Sequence, residues 1–455
     1  MDTSTMSSPT TGALTTGAVI TAARVRSALL PAAAWVWTRA VLLMFTYNVI
    51  PYISHGDIVG DLKTYNRWSQ VFAHGHFPQG DPQWQYPPGA AVVITLPRLV
   101  RSVTGLSYYT AFYAMALAAD LITFLLVLYR CWHTAERRKS AQPDYVARPD
   151  YTGAWAYVAA IFMLGPIVFG RYDVIVTMTA AVALVVVLPS MAGTWRARGA
   201  AIGVGVLLKI WPAAIAAGLP KRANGRRALL WAVLGAVVPT LALMAFLPGS
   251  LGFLTGQQDR GLEIESVLAT PFLIAKRFGY SGTIRHQYGA FEITGPGVAW
   301  VAVLCELLTL AGFCWLLCWR RRADLLLGRW TTGRYYDAAL VAVLIAIVTS
   351  RVLSPQYLVW VIALIALCLT LAPLGSGGTV LVGPCWLLLA TISATQLEFP
   401  LLFPRLIHGG RFAAVFVTGR NLMLVAATLW AAHSLWRSAA AEGEPTPSPS
   451  PIAPA

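Results

Sequence analysis

The sequence predicts an all-α, polytopic transmembrane helical bundle with about 12 membrane segments, on the basis of its composition and its apolar runs. Of the 455 residues, 57% are hydrophobic and 12% are charged, whereas a soluble domain carries about 25% charged residues. The mean hydropathy is +0.62. Apolar runs recur along the chain, and several reach the ~20 residues that an α-helix needs to cross a bilayer.

The shortest predicted membrane segments lie between residues 199 and 220. That run is too short for two full crossings at about 1.5 Å per residue, so we expect a hairpin of two short helices that turns at Lys209–Pro212. A single span would place the basic loops on either side of it on opposite faces. The predicted segments are residues 34–53, 107–130, 152–169, 173–191, 199–210, 211–220, 228–248, 296–318, 336–350, 356–372, 379–397 and 411–433.

Lysine and arginine give the chain a formal net charge of +15, and they cluster in short loops between apolar runs. The most basic loops are residues 137–139, 196–198, 221–227 and 320–322. One orientation places all of them in the cytoplasm, in agreement with the positive-inside rule. We therefore expect a multi-pass plasma-membrane protein in contact with membrane lipid. No nucleic-acid partner is expected, because no basic stripe interleaves with aromatic residues.

This orientation places two long polar loops outside, at residues 54–106 and 249–295, within one integral membrane domain that spans residues 31–437. The flanking stretches, Ser/Thr-rich residues 1–30 and Pro/Ser-rich residues 438–455, are predicted to be disordered. The six cysteines show no CxxC spacing. Neither a zinc site nor a disulfide framework is therefore predicted.

The first outer loop contains an amphipathic stretch, residues 61–73, with apolar side chains at intervals of three and four. This spacing predicts a helix along the membrane surface with aromatic anchors. Asp61 falls at the predicted helix start and Asp57 lies one turn earlier. Asp61 is interpreted either as a helix N-cap or as a functional carboxylate.

The same loop ends in a rigid turn, where Pro87 and Pro88 favour extended backbone just before a helix predicted at residues 89–103. The turn fixes Trp84 and Tyr86 near the base of the loop. These two side chains are expected either to line a pocket or to act as interfacial aromatics.

The loop motifs resemble those of glycosyltransferase family 87, the polyprenyl-phosphate-mannose-dependent mannosyltransferases of actinobacterial type within the GT-C superfamily. The resemblance rests on DLKTY at residues 61–65, GHFP at 75–78 and QYPP at 85–88, with a weaker match in KIWP at 209–212. The chain departs from the family where many members have G-Q-x-N and tandem histidines. Here those places hold GRYD at residues 170–173 and SPQY at 354–357.

The resemblance implies a GT-C-like bundle whose catalytic acid in the first outer loop corresponds to Asp61, with Asp57 beside it. The implied reaction moves mannose from a polyprenyl-phosphate donor to a hydroxyl group, with inversion, on the extracytoplasmic face. The acceptor would be a glycolipid, a glycan or a protein. No cofactor is expected, although a divalent ion between the two aspartates is an alternative.

Basic and aromatic groups on the same face are the candidates for holding the substrates, because a departing phosphate needs cations. Lys209 either binds this phosphate or pairs with a carboxylate such as Asp173. The second outer loop is either solvated or a mobile flap. The predicted substrate-binding residues are Tyr65, Trp84, Tyr86, Arg171, Asp173, Lys209, Arg260, Arg285, His286, Arg351 and Gln356.

Two other classes of function compete with the transferase. A secondary transporter or lipid-linked sugar flippase would also have many spans, but transporters pair their broken helices in two halves. Only one Lys-x-x-Pro break is visible here. A structural membrane subunit would not account for an outer loop so dense in acids and aromatics.

Overall fold

The computed structural model describes residues 11–53, 55–78, 80–141, 149–254, 260–326, 330–374 and 377–441. For residues 11–26, 57, 141, 326, 440 and 441 it describes only the backbone. Fifteen α-helices and one small sheet account for most of these residues.

Most of the helices follow one another along the chain with short connections, and the longest connection runs between α8 and α10. Several 3₁₀ helices join them, among them Pro166–Gly170, Trp211–Gly218 and Pro355–Tyr357. The α-helices are α1 (Thr11–Thr46), α2 (His55–Ala73), α3 (Ala90–Thr104), α4 (Tyr108–Ala141), α5 (Thr152–Leu164), α6 (Asp173–Val185), α7 (Met191–Leu208), α8 (Arg222–Phe246), α9 (Thr270–Ala275), α10 (Val298–Leu326), α11 (Thr332–Val348), α12 (Leu358–Leu369), α13 (Val382–Gln396), α14 (Phe403–Ile407) and α15 (Arg411–Ala441).

Seven helical stretches in the described part of the chain are long and apolar enough to cross a membrane: Ser27–Thr46, Tyr108–Ser140, Arg222–Phe246, Val298–Leu325, Pro355–Leu374, Val382–Ile407 and Arg411–Ala439. Two shorter apolar helices, α5 and α6, lie beside them. All twelve predicted segments overlap helical structure. The predicted class, an all-α polytopic membrane protein, is confirmed.

Burial distinguishes the centre of the bundle from its edge. In the span that contains α12, 78% of the most apolar window is buried, whereas the corresponding fractions are 6% in α8 and 11% in α10. Exposed apolar helix surface of this extent is stable in contact with lipid. Helix α12 is therefore central, and α8 and α10 lie at the periphery.

The predicted break at Lys209–Pro212 is present. Helix α7 ends at Leu208, and Trp211–Gly218 forms a 3₁₀ helix that returns along it, with Pro212 against Gly205. The returning arm is 3₁₀ rather than α, and α7 begins at Met191 instead of residue 199.

Two side chains from α10 and the segment after it donate hydrogen bonds to the carbonyl oxygens at the end of this 3₁₀ arm. Arg320 Nη1 donates to the carbonyl oxygens of Ala216 and Ala217, and Trp330 Nε1 donates to that of Gly218. Irregular backbone at membrane depth needs such partners within the protein.

The second outer loop contains a three-stranded antiparallel sheet that the sequence analysis did not predict. Strands β1 (Leu262–Glu263), β2 (Thr283–Gln287) and β3 (Ala290–Thr294) pair in the order β1-β3-β2. Tyr288 and Gly289 join β2 to β3 with φ of 50° and 76°, as in a two-residue type I′ hairpin turn. Residues 283–294 of this loop therefore form a β-hairpin.

The disorder predicted for the two ends of the chain can be compared with the structure only in part. Helix α1 begins at Thr11, inside the stretch that was expected to be disordered. Residues 1–10 and 442–455 lie outside the described residues, so the predicted disorder there, like the domain boundaries, stays a prediction.

One buried ion pair links the first helices. Asp120 on α4 accepts hydrogen bonds from Arg39 Nε at 2.8 Å, Trp35 Nε1 at 2.8 Å and the Tyr157 hydroxyl at 2.7 Å. A buried charge satisfied this completely holds helices together. We assign it a structural role.

Candidate active site

A cavity of about 330 Å³ opens between the first outer loop and the sheet of the second. Helix α2 and the Tyr86 turn form one side, and the hairpin tip and residues 354–357 face them. Lys209 and Arg171 lie in its lining. The volume falls in the ~300–1,000 Å³ range of small-molecule sites.

Helix α2 differs from its predicted form in two ways. It begins at His55, so Asp61 lies in its second turn and is not an N-cap. Leu62, Tyr65 and Trp68 are at most 2% exposed, so this face packs into the protein. The predictions of a helix start at Asp61 and of aromatic anchors in the membrane surface were wrong, because the protein itself buries the apolar stripe.

An arginine holds the Asp61 carboxylate. Arg171 Nε lies 2.6 Å from Asp61 Oδ2, and the exposed side-chain fractions are 9% for Arg171 and 35% for Asp61. Arg171 Nη1 also donates to the carbonyl oxygen of Ile58 on α2, at 2.9 Å. A side chain at Gly170 would overlap that carbonyl oxygen. The GRYD step thus docks on α2 and orients Asp61, whose carboxylate also reaches the cavity.

Asp57 lies on α2 one turn before Asp61, but its side chain lies outside what the structure describes. Its predicted roles therefore stay predictions. Within the described residues, no group of three or more His, Cys, Asp or Glu side chains could hold a metal ion.

Trp84 belongs to an aromatic cluster behind the cavity. Its ring centroid lies 5.0 Å from that of Trp68, 4.9 Å from that of Phe77 and 5.7 Å from that of Tyr86. It is 4% exposed and is absent from the lining, whereas Tyr65 and Tyr86 line the cavity. The structure therefore places Trp84 behind Tyr86, which it contacts.

The Pro-Pro turn leads into α3, which begins at Ala90, close to the predicted start. A side chain at Gly89 would overlap Leu207, near the end of α7. This close approach brings the turn against the residues that precede Lys209.

Lys209 is paired. Its Nζ lies 2.7 Å from Asp173 Oδ1, and Trp360 Nε1 donates to the same oxygen. Asp173 is 2% exposed and does not line the cavity, whereas Lys209 does. Four aromatic rings lie 5.1–5.7 Å from the ammonium, those of Tyr86, Tyr172, Tyr357 and Trp360. The carboxylate pairing considered for this lysine is the arrangement observed.

Arg260 joins the two outer loops at the cavity wall. Its guanidinium pairs with Glu292 on β3, and its Nη1 donates to Gln85 Oε1 at 2.7 Å. The structure thus places Arg260, which comes from the second outer loop, in the same cavity lining as Arg171 and Lys209.

The remaining predicted residues divide into two groups. His286 and Gln356 lie in the cavity lining, whereas Arg285 and Arg351 do not. Arg285 is exposed on β2. Arg351 Nη1 lies 3.9 Å from Glu306 Oε1 on α10.

Two acids in the lining were not among the predicted site residues. Glu263 and Glu265 lie in or just after β1 and are each 3% exposed. The sequence signal was present: in LEIE, at residues 262–265, acids alternate with apolar residues. Such alternation is typical of a strand with two different faces.

The model of glycosyltransferase family 87 matches residues 84–333, more than half of the chain. The matched region includes the QYPP turn, GRYD and KIWP, whereas Asp61 precedes it. No curated protein and no solved structure matched in the two searches. Family membership favours a transferase over the transporter alternative. The chain belongs to glycosyltransferase family 87, whose members are membrane glycosyltransferases with a sugar donor and an acceptor as substrates.

Proposed function

We propose that this protein transfers mannose from a polyprenyl-phosphate donor to an acceptor hydroxyl on the extracytoplasmic face of the plasma membrane. The reaction inverts the anomeric centre, and Asp61 is the general base. The observation that carries this proposal is Asp61, which lines a cavity at the base of the first outer loop while Arg171, in the same lining, pairs with its carboxylate.

The chemistry needs a base on one side of the sugar and a leaving phosphate on the other. Asp61 takes the proton of the acceptor hydroxyl, whose oxygen forms a bond to the anomeric carbon. The bond between that carbon and the phosphate oxygen breaks, and the phosphate leaves with the electron pair. Attack opposite the leaving group inverts the configuration.

Lys209 and Arg260 are the candidates for stabilising the leaving phosphate. A lysine ammonium has three donor hydrogens, and the ion pair with Asp173 requires one of them. The others remain for phosphate oxygens in the cavity, where cations stabilise developing negative charge. Tyr86 and Tyr357 beside the ammonium shield this charge from water.

Radiolabelled donors test the proposal directly. Membranes that contain the protein are expected to transfer label from polyprenyl-phosphate-mannose to a product that control membranes without it do not form. Polyprenyl-phosphate-glucose and GDP-mannose serve as competing donors under the same conditions. Transfer from the nucleotide sugar alone would overturn the lipid donor, and transfer from the glucosyl lipid alone would overturn mannose.

Cysteine labelling tests the proposed face. With the exposed Cys314 and Cys318 replaced by serine, a membrane-impermeant maleimide is expected to label a cysteine at position 80 in intact cells. A cysteine at position 140, next to a basic loop, should be labelled only after permeabilisation. The opposite pattern would place the cavity in the cytoplasm.

A further inference from the structure

Glu263 and Glu265 form a second acidic wall of the cavity, distinct from the Asp61–Arg171 pair. Strand β1 ends at Glu263 and Glu265 lies in the turn that follows, where the backbone N–H of Ser266 donates to the carbonyl oxygen of Glu263 at 2.9 Å. Both residues line the cavity although each is only 3% exposed. Neither has a role in the proton transfer or the phosphate binding described above.

Glu263 is held at one carboxyl oxygen only. Its Oε1 accepts a hydrogen bond from Ser354 Oγ at 2.6 Å, and its backbone N–H donates to the carbonyl oxygen of Arg351 at 3.0 Å. Among the described residues, the buried Oε2 has no hydrogen-bond partner. The backbone is thus fixed while one carboxyl oxygen is left unsatisfied.

Glu265 shows the same pattern. Its carbonyl oxygen accepts from Arg420 Nη2 and Asn421 Nδ2, both at 3.3 Å. Arg420 also pairs with Glu398 at 3.0 Å, so this cation already has a carboxylate partner. The Glu265 carboxyl group lies within hydrogen-bond reach of the Glu398 carboxyl group, and among the described residues Oε1 of each is buried without a donor.

Buried polar atoms without partners are costly, and native proteins satisfy nearly all of them. Both residues line the cavity, so a bound ligand can supply the missing hydrogen bond of Glu263, and a ligand or a proton shared with Glu398 can supply that of Glu265. Burial raises the pKa of Glu263 and raises that of Glu265 well above its ordinary value, with the neighbouring Glu398 contributing in the second case. A protonated carboxyl both donates and accepts hydrogen bonds.

The ligand chemistry follows from this environment. Hydroxyl groups of a sugar ring both donate and accept hydrogen bonds, so they match a carboxyl group in either protonation state. Phosphate is a poor match, because carboxyl oxygens repel it and the cations Lys209 and Arg260 offer a better place.

We propose that Glu263 and Glu265 form a subsite that hydrogen-bonds the hydroxyl groups of a sugar ring and sets its position relative to Asp61. The proposal rests on the proposed function for the identity of the substrates. The sugar ring belongs either to the donor or to the acceptor, and kinetics distinguish the two.

The kinetic test compares leucine and glutamine at each position in the full-length protein, reconstituted in lipid nanodiscs. Glu265→Leu and Glu263→Leu are expected to raise one KM about tenfold, the loss expected when a buried hydrogen bond to the ligand disappears. Glu265→Gln and Glu263→Gln keep a donor and an acceptor and should stay near the wild-type KM. If only the KM for the acceptor rises, the acceptor sugar binds at Glu263 and Glu265. If only the KM for the lipid donor rises, the donor sugar binds there.

Folding is monitored by thermal unfolding, with Glu306→Leu as the matched control. The Glu306 side chain is 70% exposed on α10, and its replacement should leave both KM values unchanged. Removal of Glu265 leaves the Arg420–Glu398 pair intact, so the leucine variant is expected to fold. Folded leucine variants with both KM values unchanged would overturn the subsite.

A binding measurement separates failure of the subsite from failure of the proposed function. Saturation-transfer NMR with methyl α-mannoside and methyl α-glucoside should detect binding to wild type and to Glu265→Gln. The signal should fall about tenfold in Glu265→Leu. If the sugars bind in this way but the protein does not turn over lipid-phosphate-mannose, the subsite stands and that donor is rejected. Equal signals in wild type and both leucine variants, or none in wild type, would reject the subsite.

Discussion

Replacing Asp61 with asparagine is expected to lower kcat by about 10²–10⁴-fold while the KM for the lipid donor stays near wild type. Asparagine keeps the size of the side chain and an oxygen that can accept from Arg171, so the contact that orients residue 61 is retained. What is lost is the ability to take a proton. Single-turnover transfer from radiolabelled donor measures the chemical step separately from substrate binding.

A matched control is Asp150→Asn. Asp150 lies just before the start of α5 and does not line the cavity. Asp150 Oδ1 accepts from the backbone N–H of Thr152 at 2.8 Å, and the side-chain oxygen of asparagine can accept the same hydrogen bond. Transfer by this variant should equal that of wild type. Wild-type turnover by folded Asp61→Asn would refute the assignment and make Asp57 the next candidate.

Variants of the neighbouring Asp57 distinguish a single catalytic base from a pair of carboxylates that share a divalent ion. Asp57→Asn should lower turnover less than Asp61→Asn if Asp61 alone is the base. If the two carboxylates share a divalent ion, both variants should fail and a chelator should abolish wild-type transfer.

Replacing Lys209 with methionine is expected to destabilise the protein by about 3–5 kcal/mol, because it leaves a buried carboxylate without its cation. Asp173 is 2% exposed, and Trp360 would be its remaining side-chain donor among the described contacts. Thermal unfolding in nanodiscs, followed by tryptophan fluorescence, measures the loss. A variant as stable as wild type would contradict the importance of the ion pair.

The double variant Lys209→Met/Asp173→Asn separates stability from phosphate binding. Removing both charges leaves no uncompensated carboxylate, so most of the lost stability should return. If Lys209 also holds the donor phosphate, this stable variant should still show a higher donor KM or a lower kcat. Wild-type kinetics would leave Lys209 as a structural partner of Asp173.

The amino-acid sequence by itself determined the class of the protein and the places where its helices break. A bilayer requires about 20 apolar residues for each full crossing, and that requirement is visible in composition and run length alone. The break at Lys209–Pro212 and the start of α3 after Pro88 follow from local proline chemistry. Motif resemblance in the first outer loop also indicated the family before any contact was known.

Only the tertiary structure decided which groups meet in the cavity. The partner of Asp61 is Arg171, and the acidic wall of the cavity comes from β1 and the turn after it; both are distant from Asp61 in the chain. Local periodicity does not determine such contacts, since they depend on which helix and strand faces pack together. For the same reason α2 looked like a membrane-surface helix and Trp84 like a pocket residue. The spacing of apolar residues shows that a face is buried, whereas the packing of the folded chain decides whether protein, lipid or substrate covers it.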